Sequence, residues 1–67
     1  MQLKWKLMVA SCLRRMGSYQ RALKVYEEVN QEDPTNIECL RFLVQICKEM
    51  QLPYESHAAN LNKLLRL

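Results

Sequence analysis

The stretch from Trp5 to Pro34, WKLMVASCLRRMGSYQRALKVYEEVNQEDP, decides the fold. Apolar side chains recur at helical spacing on both sides of a single glycine: Trp5, Met8, Val9, Cys12, Leu13 and Met16 before Gly17, then Tyr19, Ala22, Leu23, Tyr26 and Val29. Steps of three and four residues gather each set onto one stripe of an α-helix. Gly17 can take the positive φ that closes a last helical turn without a Cβ clash, and Ser18 offers an N-cap for the helix that follows. The pattern predicts a helix over about 3–16, a turn, and a second helix over about 19–31. Asp33-Pro34 stops the second helix, because proline disfavours helical backbone in the residue before it. Ala10 and Ala22 place one small side chain on each rod, which lets two packed helices approach closely at their crossing.

Working outward, Thr35-Asn36-Ile37-Glu38 fits a capping box, with hydroxyl and carboxylate satisfying amide groups reciprocally. A third helix over about 36–50 carries Cys39, Leu40, Leu43, Val44, Ile46, Cys47 and Met50, a stripe wide enough for two neighbours. Gln51-Leu52-Pro53 then stands where a glycine turn would serve, with Pro53 suited to the first position of a helix. A fourth helix over about 54–66 aligns Tyr54, Ala58, Leu61 and Leu65.

Composition narrows the function. The chain has 67 residues, 49% of them hydrophobic and 25% charged, which fits one small helical domain or a piece of one and not a disordered tail. Cys12, Cys39 and Cys47 are odd in number, lack CxxC spacing and follow no secretory leader, so a reducing compartment is expected in place of a disulfide framework. No apolar run approaches the roughly 20 residues a membrane span needs. The only histidine, His57, has no ligand partners at metal spacing, and no nucleophile, paired carboxylates or phosphate loop is present, so neither an enzyme nor a cofactor or metal site is expected. Each cysteine reads as a small hydrophobe, Cys12 being the one whose pKa a neighbour, Arg15, could lower.

Charge is distributed unevenly. Lys4, Lys6, Arg14, Arg15, Arg21 and Lys24 precede any acid, and Glu27, Glu28, Glu32, Asp33 and Glu38 follow as a cluster. Within the second helix this order opposes the macrodipole, at a cost of a few tenths of a kcal/mol per charge, roughly. Contacts to other elements or to a partner must offset it. The net charge of only +3 argues against nucleic acid, although a helical repeat binding RNA or another nucleic acid through the basic first hairpin is the competing expectation.

The order Ala10, Gly17, Tyr19, Ala22, Tyr26 and Pro34 resembles a tetratricopeptide (TPR) unit, a helical hairpin repeated about every 34 residues. That resemblance implies an all-α chain of two stacked antiparallel helix-turn-helix hairpins, part of an α-solenoid. The first repeat covers 1–34, and a degenerate second covers 35–67, with Ser56 and Asn60 where the family has a small residue and an aromatic. It assigns repeat packing to Trp5, Met8, Ala10, Ala22, Tyr26, Leu40, Leu43 and Val44. A partner-binding groove falls on Lys4, Leu7, Ser11, Arg14 and Arg15 of the first helix and on Glu38, Arg41, Gln45, Lys48 and Glu49 of the third. Leu7 and Ser11 occupy the places of the Lys and Asn in the carboxylate clamp of chaperone-binding relatives, which disfavours a C-terminal-peptide co-chaperone. About three repeats normally make a stable stack. Trp5 and Met8 at one end, and Leu64, Leu65 and Leu67 at the other, therefore read as surfaces awaiting neighbours, in a fragment or in a unit that self-associates.

Beyond the generic repeat, Trp5 before Leu7-Met8, Ser11-Cys12, Arg14-Arg15 before Gly17, and the run from Glu38 to Val44 resemble the C-terminal region of the large TPR subunits of the intraflagellar transport B complex. The resemblance implies a non-catalytic protein-interaction scaffold for cilium or flagellum assembly, with other transport B subunits as partners, in the cytoplasm and the cilium.

Overall fold

The computed structural model describes residues 3–66, which form four helices: α1 (Leu3–Arg15), α2 (Tyr19–Glu32), α3 (Ile37–Glu49) and α4 (Glu55–Leu65). No strand occurs among the described residues. Leu67, counted above among the terminal leucines, lies outside them. Each helix packs on the next, α1 on α2, α2 on α3 and α3 on α4. The contact of Ser11 with Tyr26 and the ion pair of Lys6 with Glu32 show that α1 and α2 run antiparallel. The result is the expected all-α pair of hairpins, a slab of 32 × 30 × 15 Å. No helix among the described residues is long and apolar enough to cross a membrane.

Both intra-hairpin turns use the same device. At the end of α1, Gly17 (φ 82) donates to the Arg14 carbonyl at 3.0 Å and the Ser18 amide donates to the Leu13 carbonyl at 2.9 Å. At the end of α3, Gln51 (φ 59) donates to the Lys48 carbonyl at 3.1 Å and the Leu52 amide to the Cys47 carbonyl at 2.8 Å. These are two Schellman closures one period of about 34 residues apart. The second holds a side chain in left-handed backbone that costs about 1–2 kcal/mol for an L-residue. Gln51→Gly is therefore expected to stabilise the chain by about 0.5–1 kcal/mol after the added freedom of glycine in the unfolded chain. The thermal midpoint should rise by about 3–6 °C; an unchanged or lower midpoint contradicts the assignment of strain to that residue.

The helix starts depart from the capping expected. Asn36 is the N-cap of α3, its side-chain oxygen accepting from the Cys39 amide at 3.0 Å, while Thr35 donates to Asp33 at 3.1 Å, so the Thr35–Glu38 capping box does not form. The cap is shifted by one residue: Asn36 takes the N-cap place and satisfies the amide three residues on, that of Cys39 in place of Glu38. Ser18 holds the N-cap position of α2 but makes no side-chain cap bond. Pro53 precedes the N-cap Tyr54 and is not the first helical residue of α4.

The core lies between α2 and α3. Ala10, Ala22, Tyr26, Val29, Cys39, Leu40 and Leu43 are fully buried, Ile46 and Cys47 nearly so, and α4 contributes no fully buried side chain. Val44 is half-buried. The first helix corrects the sequence reading. Its one buried residue is Ala10, flanked by half-buried Leu3, Lys6, Leu7, Leu13 and Arg14, whereas Trp5 is 60% exposed, Met8 59% and Met16 74%. Trp5 and Met8 thus have no packing role inside this repeat. Once Ala10 is the point of nearest approach, only residues three, four and seven positions away share its face. The stripe of Trp5, Met8, Cys12 and Met16 is real, and it faces outward.

The opposed charges of α2 are resolved on one side only. Lys6 of α1 hydrogen-bonds Glu32 and lies 3.9 Å from Glu28, giving the carboxylates at the end of α2 a cation from the neighbouring helix. The bond to Glu32 is the main influence raising the Lys6 pKa. Arg21 and Lys24, at the other end, form no ion pair among the described residues.

Candidate protein-docking surfaces

Three connected hollows run along the face shared by α1 and α3. The first, about 340 Å³, is lined by Lys4, Leu7, Met8, Ser11, Cys12, Arg15 and Glu38. Glu38 also borders the second, about 560 Å³, with Ile37, Arg41, Phe42 and Gln45. Gln45 and Arg15 continue into a third of about 280 Å³ with Arg14, Tyr19, Ile46 and Glu49. The fold therefore brings Lys4, Leu7, Ser11, Arg14, Arg15, Arg41 and Gln45 onto one surface. Lys48 is not part of it, because its ammonium sits 4.9 Å from the centre of the Tyr54 ring, drawn to the ring face at the start of α4.

The residue that stiffens this surface was not singled out from the sequence. Phe42 stacks on Tyr26 with centroids 5.5 Å apart and an angle of 24° between rings, and the Arg14 guanidinium lies 4.3 Å from the Phe42 centroid. The Tyr26 hydroxyl meets Ser11 Oγ at 3.3 Å. Arg14, Phe42, Tyr26 and Ser11 thus tie three helices together, and the stack fixes a guanidinium whose Nε is buried without a hydrogen-bond partner. A cation held over an aromatic face loses little further rotamer freedom on meeting a carboxylate. The available signal was that Phe42 stands one repeat period after Met8.

The same period explains the outward stripe of α1. Trp5, Met8, Val9 and Cys12 correspond, about 34 residues on, to Cys39, Phe42, Leu43 and Ile46. In α3 those positions face the first hairpin: Phe42 stacks on Tyr26, the Cys39 thiol donates to the Tyr26 carbonyl at 3.0 Å, and Cys39, Leu43 and Ile46 are buried. The outer face of α1 therefore carries apolar residues where the next hairpin carries its contact with a neighbour.

Among the described residues no group of His, Cys, Asp and Glu could hold a metal ion. Burial, followed by Asp33 and Glu38, pushes the Cys39 thiol up to about 11, and burial also raises Cys47, whereas Cys12 is exposed. A thiol protonated in the fold and freer to ionise when unfolded gives stability that is complete below about pH 9 and is lost as pH rises through about 11. Iodoacetamide at pH 8 is expected to label Cys12 first and Cys39 last, by about tenfold or more, as Cys39 reacts only through opening. Equal rates would contradict the burial of Cys39.

Short antiparallel helices with a small residue on each rod of the first hairpin, a Gly turn and a period of about 34 residues define a helical-repeat binding protein. The tetratricopeptide repeat family profile matches residues 3–46, and the chain belongs to that family. It is also 55% identical over 51 residues to the human protein named intraflagellar transport protein 88 homolog, a match that covers 76% of this chain and 6% of that protein. The chain thus spans only a small part of the length of this relative. No solved structure matches it.

Proposed function

We propose that the chain is a non-catalytic protein-interaction scaffold of the intraflagellar transport B type, with 1–34 and 35–67 acting as two repeats. The observation that carries this is the exposed row of Trp5, Met8, Val9 and Cys12, since the equivalent row on α3 is the one that packs on a helical hairpin. Its occupant is another hairpin of the same class, supplied by a neighbouring repeat or a second copy. Covering a large apolar side chain contributes about 1.5–3 kcal/mol. The groove between α1 and α3 takes an extended segment of another subunit, with Lys4, Arg14, Arg15 and Arg41 drawing carboxylates. The likeness to the human relative supports placement in the cilium.

The test is replacement of the matching segment of the human relative by this chain in ciliated cells that lack that relative. Restored cilia, lost again when Trp5→Glu is introduced, are the expected result. Full-length chimera without cilia, or cilia indifferent to Trp5→Glu, contradicts the reading.

A further inference from the structure

A hollow away from the groove is lined by Gln20, Arg21, Leu23 and Lys24 of α2 and by Met50 and Leu52 of the turn after α3, and measures about 430 Å³. Its floor is apolar: Leu23 and Met50 are half-buried, and Leu52 is 38% exposed. Leu52 is held there by the hydrogen bond of its amide to the Cys47 carbonyl, so the floor is built on the closed end of α3. Arg21 and Lys24 form the rim, both exposed and without an ion pair among the described residues. They are the half of the reversed charge pattern of α2 that the fold does not offset. Two cations early in a helix oppose its macrodipole, and an incoming carboxylate relieves that cost.

We propose that this hollow is a second docking site, and that its occupant is an acidic amphipathic helix of a partner protein. Arg21 and Lys24 are three residues apart and so lie side by side on α2, about 5–6 Å between Cβ atoms. Carboxylates one turn apart on a partner helix have the same spacing. Such a helix laid along the start of α2 sets its acids against the two cations while its apolar stripe covers Leu23, Met50 and Leu52. An apolar floor under a charged rim is the arrangement in which burial supplies affinity and charge sets orientation and on-rate. None of the six lining residues belongs to the α1/α3 groove, so the two sites can be filled together.

The probe is a fluorescein-labelled synthetic helix about five turns long with Leu at i, i+3, i+4 and i+7 positions and Glu elsewhere, titrated by anisotropy into the full chain. A twin peptide carries Lys in place of every Glu. Expected are saturable binding of the acidic helix, weakening of about tenfold or more in the Arg21→Glu/Lys24→Glu variant, and a gain of the Lys helix by that same variant. Leu52→Ser should weaken binding several-fold, whereas Lys63→Glu, at an exposed cation of α4 that lines neither site, should leave it within about twofold. Amide NMR shifts should concentrate at residues 20–24 and 50–52. Failure to bind the acidic helix, equal loss in Lys63→Glu, binding indifferent to the charge reversal, or tighter binding of an oligonucleotide at the same residues each overturns the proposal. None of those outcomes touches the outer face of α1, so the scaffold reading is tested separately.

Discussion

Ala22→Leu is expected to abolish cooperative folding. Ala22 and Ala10 are both fully buried, one on each helix of the first hairpin, in the same apolar cluster. Extra methylenes in such a contact cost about 1–3 kcal/mol and more where backbone must move, and here they would push α1 off α2. A chain of 67 residues has about 3–10 kcal/mol in total, and one with so few buried side chains belongs near the lower end. Circular dichroism should show the helical signal falling without a sigmoidal thermal transition. Ala22→Ser, which keeps the volume small, should retain the transition and cost about 1 kcal/mol. A cooperative melt near the parent midpoint in Ala22→Leu would mean that the two helices do not meet there.

Removal of the Tyr26 ring is expected to do comparable damage by a different route. Tyr26 is the largest fully buried side chain, stacked on Phe42, within 3.3 Å of Ser11 Oγ, with its carbonyl receiving the Cys39 thiol. Tyr26→Ala should cost about 3–5 kcal/mol through the cavity left behind and free Phe42, and with it Arg14, to move. Tyr26→Phe keeps the ring and forgoes one half-buried hydrogen bond, a loss of about 0.5–1.5 kcal/mol. Urea titration separates the two, since the midpoint should collapse for alanine and shift modestly for phenylalanine. Equal losses would place the energy in the hydroxyl instead of the stack.

The helices and their pairing were legible because Gly17, Ala10, Ala22 and Tyr26 each carry a local signal: a residue free to take positive φ, small residues at a crossing, and a large ring one turn after Ala22. The face of α1 was not, because that helix is apolar on two sides. Trp5, Met8, Cys12 and Met16 form a stripe unbroken by charge, while the buried side is made of Ala10, aliphatic Leu3, Leu7 and Leu13, interrupted by Lys6 and Arg14, whose stems are half-buried. Long basic side chains cover apolar surface with their methylenes and read as polar in a sequence. The Arg14 and Phe42 stack was hidden for a similar reason, as it joins residues on different helices and in different charge classes. The hollow at Arg21, Lys24 and Leu52 arises only when the turn after α3 is brought beside the start of α2.

The most direct measurement uses the single tryptophan. Residues 3–36 are duplicated ahead of Leu3, in register with the period, with the duplicate carrying Trp5→Phe so that Trp5 of the original copy remains the only emitter. In the parent chain, held dilute enough to be monomeric by sedimentation, Trp5 is 60% exposed and should emit as a solvated indole that acrylamide quenches freely. With the added hairpin seated on α1, emission should move to the blue and quenching should fall severalfold. An extended chain that is fully helical yet leaves Trp5 emission and quenching unchanged would show that this face is not made to receive a hairpin.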